Sequence, residues 1–269
     1  MEWIIAVFIL LWLIGTLFGK FDSSSSSKSY KEPLDEKSTD VNKASDALLK
    51  ENENPNQSTK LERIHLDCAK EEKTNPIALT FENLGVYSLW HITHRNNIET
   101  ILLNGILSNT QAFNVTNPVD ISDHSVQRWR DAKDPVYKRK IHDYAPTYFN
   151  VRNPMLYVRR DWRDELCLIE ISLSVLSKDN FIFTDGNAAA KDTKFYNSLS
   201  DLINLPWDVL NASYWNNFED GKRKRCAEVL VYPKIVPEYI KQIHCYSDLT
   251  LEQLANIDCR ITKTKELFF

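Results

Sequence analysis

The sequence predicts an α+β domain that follows an apolar anchor and a polar tether. Three observations carry the prediction. Strand-like and helical runs succeed one another in no regular β–α alternation, which argues against a doubly wound sheet. The clearest strand patterns, Leu166–Leu176 and Ala227–Tyr232, are apolar runs with polar groups set into them. With only six glycines in 269 residues and no Gly-rich turn, Rossmann and P-loop phosphate sites are poor readings.

Taken in order, Trp3 to Phe18 is uncharged and strongly apolar, ending at Gly19 and Lys20. It is slightly shorter than the roughly 20 residues of a full span. No basic segment precedes it and no small-residue cleavage site follows, so an uncleaved transmembrane anchor over 1–20 is favoured over a signal peptide. Lys20, Lys28 and Lys31 on one flank and Glu2 on the other place the rest of the chain on the cytoplasmic side of the inner or plasma membrane. Residues 21–79 carry five consecutive serines, Ser23 to Ser27, near their start and continue polar and charged, too poor in large apolar side chains to fold alone, and read as a flexible tether.

The folded unit is expected over 80–269. Ser88–Ile92 reads as a strand, and a helix follows with Ile98, Ile101 and Leu102 on one face, stopped at Asn104-Gly105. Gln127 to Lys133 has helical character. Leu166–Leu176 and Phe181–Thr184 read as strands, Phe195–Leu205 as a helix closed by Pro206, and Ala227–Tyr232 as the most strand-like segment, ended by Pro233.

The five cysteines are odd in number and widely spaced, which indicates neither a disulfide framework nor a zinc site and favours a reducing compartment. The net charge of −4 excludes no partner class, because charge is distributed unevenly. Between His124 and Arg163 lie ten Lys and Arg residues against four Asp, interleaved with Trp129, Tyr137, Tyr144, Tyr148, Phe149, Tyr157 and Trp162. A solvated face is one reading; cations and stacking rings for single-stranded nucleic acid are the other.

Three segments hold polar groups suited to chemistry within strand-like runs: Leu89–His94, His142–Phe149 and Cys226–Tyr232. Three such sites in one domain suggest a cleft built on a sheet. Glu228, followed by Val229-Leu230-Val231, is either an edge carboxylate facing solvent or one that is half-buried with a partner or faces a cleft, able to stabilise a cationic, oxocarbenium-like transition state. His91 has three readings: a metal ligand with His94, for which no third ligand is spaced nearby; a satisfied core histidine; or, with Ile92 and Thr93, a contact for a nucleotide cofactor. Arg130 is either a surface arginine or a planar fork that clamps a pyrophosphate or polarises a base carbonyl.

These segments, with Asn97, the Gln127–Lys133 stretch holding Arg130, Asn153–Tyr157, Phe183–Asp185 and Ala212–Trp215, occur in an order that resembles the DarT family, bacterial toxins that ADP-ribosylate single-stranded DNA and are paired with a macrodomain antitoxin, DarG. The resemblance runs from about Leu84 onward. It implies an ADP-ribosyltransferase-like split β-sheet with flanking helices, and NAD as co-substrate held by His91, Ile92, Thr93, Thr100, Leu107 and Arg130. Glu228 would be the catalytic glutamate, and Arg130 would also help activate the acceptor base. Tyr144, Tyr148, Arg152, Tyr214 and Trp215 would meet the DNA, the last two from a loop between Phe183 and Glu228. No metal is implied. Thymine is the expected acceptor; guanine, an RNA base, or a catalytically idle nucleic-acid-binding module are the alternatives.

Overall fold

The computed structural model describes residues 76–177, 180–257 and 259–269. The anchor over 1–20 and nearly all of the tether lie outside the described residues. Among the described residues no helix is long and apolar enough to cross a membrane.

The described chain opens with helix Pro76–Asn83, four residues before the boundary expected at residue 80, because Ala78 and Phe81 are fully buried. Ten strands follow: β1 Leu89–His94, β2 Ile106–Leu107, β3 Ala145–Tyr148, β4 Leu166–Ile171, β5 Phe181–Thr184, β6 Phe195–Tyr196, β7 Glu228–Val231, β8 Lys234–Ile235, β9 Ile240–Cys245 and β10 Ile261–Lys263. Eight form one sheet in the order β10-β9-β4-β1-β3-β7-β5-β6, and β2 pairs separately with β8. All pairings are antiparallel except β9–β10. β1 pairs with β4 along its whole length, Leu89 opposite Ile171 through His94 opposite Leu166. It meets β3 at one register pair alone, Trp90 opposite Tyr148.

Alternation along the strands divides the core between the two faces of the sheet. Leu89, Cys167, Ile169, Ile171, Val229, Val231, Ile243 and Cys245 pack with Ala78 and Phe81 of the first helix and Ile98 and Ile101 of the helix Ile98–Asn104. The opposite face carries a cluster around Ile92, Leu156, Leu166, Leu168 and Phe268, and another around Ile141, Tyr144, Ile182 and Leu230. Glu228 and Leu230 therefore face away from the larger core, as period-two geometry requires. Helix Ile98–Asn104 ends where expected. Gly105 has φ +85°, its N–H reaches the Ile101 carbonyl at 2.7 Å, and a Cβ there would lie 2.1 Å from the Ile235 carbonyl oxygen.

Two expected elements are shorter or different. Leu166–Leu176 is not one strand: β4 ends at Ile171 and Leu173–Ser177 winds into a 3-10 turn. The Ser172 hydroxyl accepts from the Ser174 N–H at 3.1 Å, a local bond that competes with the ladder. Phe195–Leu205 is not one helix. Phe195 and Tyr196 add a strand to β5, where Tyr196 stacks on Phe183 at 5.6 Å, and the 3-10 helix Leu199–Asn204 follows. Arg130 sits in a 3-10 turn, Arg128–Asp131, behind the short helix His124–Gln127. Among the described residues the cysteines are free thiols, and burial pushes Cys167 and Cys226 up to about 12.

Candidate active site

Glu228 opens β7 and is 1 % exposed, yet both its carboxylate oxygens have hydrogen-bond donors. Arg130 Nη1 donates to Oε1 at 3.1 Å and Nη2 to Oε2 at 2.9 Å, a bidentate fork across 98 residues of sequence. The Ala188 N–H donates to Oε1 at 2.8 Å. The backbone is pinned too, since the Glu228 N–H donates to Thr184 Oγ1 at 3.0 Å, and that hydroxyl donates to the Gly186 carbonyl at 2.6 Å. Burial disfavours the Arg130 charge, but the Glu228 charge and its hydrogen bonds outweigh burial and raise the guanidinium above its ordinary value. The Arg130 side chain is 11 % exposed and faces a large cleft.

That cleft opens where β1 and β3 part, with an empty volume of about 1100 Å³ including its open mouth. His91, Ile92, Thr93, Thr100, Leu107 and Arg130 all line it, as do Tyr144 and Tyr148. His91 Nδ1–H donates to the Pro146 carbonyl at 2.9 Å, which fixes the tautomer and leaves Nε2 as an acceptor. Burial, partly opposed by that bond, lowers the His91 pKa and keeps the ring neutral. His94 is committed elsewhere: its Nδ1 accepts from the Asn96 N–H at 3.1 Å and its Nε2 donates to Glu165 at 3.0 Å. Among the described residues no group of three His, Cys, Asp or Glu side chains could hold a metal.

Asn97 ties the cleft walls together. Its amide donates to Thr93 Oγ1 at 3.1 Å and to the Val119 carbonyl at 2.9 Å, and its Oδ1 accepts from the Val119 N–H at 2.8 Å. Arg159 holds the same wall through the carbonyls of Ile121 and Ser122, both at 2.8 Å. Tyr148 lies directly opposite Glu228 in the ladder, and burial, then the neighbouring carboxylate, raise its pKa.

The residues expected to meet DNA separate into two groups. Tyr148 lines the cleft, and Tyr214 is 72 % exposed on the loop before β7. Tyr144 borders the cleft but is buried, its hydroxyl donating to Asp134 at 2.9 Å and its ring packed with Ile141 and Leu230, so little of it is open to a ligand. Arg152 is half-buried, donates to the carbonyls of Glu266 and Phe268, and lies 4.3 Å over the Phe269 ring. Trp215 is buried edge-on against Tyr157 and Phe269. Both are occupied by the last residues of the chain and sit apart from the cleft lining.

Sequence patterns pass over three supporting residues. Asp134 is fully buried and accepts from the N–H groups of Val136, Tyr137 and Arg139, shaping the turn behind Arg130; the Asp134-Pro135 dipeptide is its turn signal. Arg225 is 3 % exposed and donates to the carbonyls of Arg152, Val209, Leu210 and Ala212 at 2.7–3.0 Å, holding the loop before β7 against the core. In the run Lys222-Arg223-Lys224-Arg225 nothing distinguishes it. Arg223 secures the other part of that loop through Asp185 at 2.8 Å and Asp220 at 2.5 Å.

The model of a family described as "ssDNA thymidine ADP-ribosyltransferase, DarT" matches residues 90–264. A DNA ADP-ribosyl transferase of Thermus sp. (strain 2.9) is 29 % identical over 180 residues, covering 63 % of this chain and 86 % of that protein. A DNA ADP-ribosyl transferase-DNA ADP-ribosyl glycohydrolase fusion protein of Thermosipho africanus is 32 % identical over 162 residues, 58 % of this chain; the chain spans only 42 % of that fusion. Among solved structures, Thermus sp. 2.9 DarT in complex with ADP-ribosylated single-stranded DNA superposes with TM-score 0.62 at 26 % identity, covering 69 % of this chain and 97 % of that one. The same protein in complex with NAD+ gives TM-score 0.58, covering 68 % and 98 %. With the family model spanning most of the folded region and these relatives beside it, the chain belongs to the DarT family of single-stranded DNA thymidine ADP-ribosyltransferases.

Proposed function

We propose that this protein transfers one ADP-ribose from NAD to a thymine base in single-stranded DNA. The observation that carries the reading is the buried Arg130–Glu228 fork at the edge of a cleft lined by His91, Ile92, Thr93, Thr100 and Leu107. NAD-bound and ADP-ribosylated-DNA-bound relatives of the same fold support the co-substrate and the acceptor.

The chemistry follows from charge. The bond between nicotinamide and ribose C1′ breaks, nicotinamide departs with the bonding pair, and positive charge develops on the ribose. A fixed carboxylate at Glu228 stabilises that charge and can accept a hydrogen bond from a ribose hydroxyl. A thymine ring nitrogen then bonds to C1′ and its proton passes to solvent water. Arg130, facing the cleft, draws electron density from the base carbonyl and makes that nitrogen easier to deprotonate. The His91 Nε2 acceptor suits a ribose hydroxyl or amide N–H of NAD. The transferred group is bonded through a pentose carbon, so the reaction is pentosyl rather than nucleotidyl transfer. The cleft lining by Tyr148 and the exposure of Tyr214 support these two rings as contacts for the strand.

Two readings rest on sequence and on relatives. The apolar run Trp3–Phe18 with its lysine flank supports a membrane-anchored enzyme whose domain faces the cytoplasm. The fused Thermosipho relative supports a toxin countered by a macrodomain glycohydrolase partner.

The test is to incubate the purified chain with NAD and a mixed-sequence single-stranded oligonucleotide and weigh the DNA. A gain of one ADP-ribose on thymine, absent with Glu228→Ala, is expected. An unmodified oligonucleotide from a folded, NAD-binding protein would sink the reading.

A further inference from the structure

A second groove adjoins the Arg130–Glu228 pair, with an empty volume of about 930 Å³ open to solvent. Trp129 and Lys133 line it from one segment of the chain, Ala188, Lys191 and Phe195 from another, and Ile141 lines both this groove and the cleft. Both segments grip the catalytic carboxylate: Arg130 follows Trp129, and the Ala188 N–H donates to Glu228.

The surface of this groove is unusual. Trp129 is 65 % exposed and its ring touches no other ring or cation among the described residues. Lys133 and Lys191 are exposed, and neither has an ion-pair partner among the described residues. The carboxylates close by in sequence are largely engaged: Asp131 by Lys140 at 3.2 Å and His142 at 3.5 Å, Asp185 by Arg223 at 2.8 Å. Asp192 is exposed and outside the lining. A solvent-facing indole with unpaired ammonium groups in one groove is the chemistry of a stacked base between phosphates.

We propose that this groove binds the nucleotide adjoining the modified base, with its base stacked on Trp129 and Lys133 and Lys191 holding the flanking phosphates. The proposal rests on the DNA-modifying reading and deepens it, because a base reacting beside Glu228 sends its neighbour along one of the segments that hold that carboxylate. Phe195 adds an apolar ring to the same lining. Trp129 thereby contributes to sequence context rather than to the chemistry.

The experiment measures binding and transfer separately, using the full chain and a fluorescently labelled thymine-containing oligonucleotide. Trp129→Ala is expected to weaken binding, read by anisotropy, by about ten- to a hundredfold, the worth of one base–aromatic stack. The KM for the oligonucleotide rises in parallel, while the KM for NAD and any DNA-independent NAD hydrolysis stay unchanged. Lys133→Gln with Lys191→Gln reduces the salt dependence of binding. Unchanged DNA binding and KM in Trp129→Ala, with transfer intact in the parent, would overturn the groove and leave the function standing. A rise in the KM for NAD would place Trp129 in the co-substrate cleft and also overturn it. If the parent chain modifies no DNA but Trp129→Ala still weakens binding, the function falls and the groove stands.

Discussion

Replacing Arg130 by alanine strands a carboxylate that is 1 % exposed, with only the Ala188 N–H left to hold it. Replacing Glu228 by glutamine has a milder consequence. The amide oxygen still accepts a bond, and the guanidinium, already facing the cleft, can turn toward water. Removing one partner of a buried pair so that the better-buried charge is left uncompensated costs about 3–5 kcal/mol. Losing one charge-assisted hydrogen bond costs about 1.5–3 kcal/mol. At about 2–4 °C per kcal/mol for a domain of this size, Arg130→Ala should melt roughly 6–20 °C below the parent and Glu228→Gln about half as far. The double variant should be more stable than the two losses summed, with a coupling of about 2 kcal/mol, because the second change removes the charge that the first exposed. Urea or thermal unfolding of the four proteins provides the cycle. If Arg130→Ala is no less stable than Glu228→Gln, the burial asymmetry is not what organises this site.

Three further outcomes are expected. His91→Ala should raise the KM for NAD about tenfold, the value of one hydrogen bond of about 1.4 kcal/mol, and leave the KM for DNA unchanged; an equal rise in both would refute the assignment. Glu170 is held down to about 2, chiefly by the His244 hydrogen bond and also by Ser88 and Lys241, against the opposing effect of burial. Because its folded value lies below its unfolded one, the stabilisation is present above about pH 4.5 and is lost as pH falls toward 2. It amounts to at most about 3 kcal/mol, so the difference in stability between the parent and Glu170→Gln should shrink steeply between pH 5 and 2.5. Arg225→Ala should unfasten the loop before β7, lowering DNA transfer much more than NAD binding and making the chain between Val209 and Ala212 sensitive to protease; equal protease resistance would count against that role.

What could be read from the sequence was what depends on near neighbours. Glu228 stands out because three aliphatic residues follow it, and Gly105 ends a helix because a left-handed residue must. The 3-10 turn at Leu173 escaped because its residues are buried all round, so hydropathy reads as an uninterrupted strand while a two-serine bond redirects the backbone. Tyr144 illustrates the same limit at the site. A tyrosine amid cations looks like a stacking platform, and only the fold reveals that Asp134, ten residues earlier, claims its hydroxyl. The Arg130–Glu228 fork spans 98 residues, and no local pattern encodes that distance.

The single rung joining β1 to β3 divides the sheet into two leaves, β10-β9-β4-β1 and β3-β7-β5-β6, with the cleft at their spine. Each leaf keeps its own hydrogen-bond ladders, whereas the spine is bridged by one strand pair and by the His91 ring reaching Pro146. Local opening follows the weakest line of hydrogen bonds, so the spine is a natural boundary between cooperative units. A substrate bound across it would act as a clasp, contacting His91 on one leaf and Tyr148 on the other. Amide exchange around Trp90 and Tyr148 should therefore be faster than within β4 or β7, and NAD should slow it without altering the strands on either side.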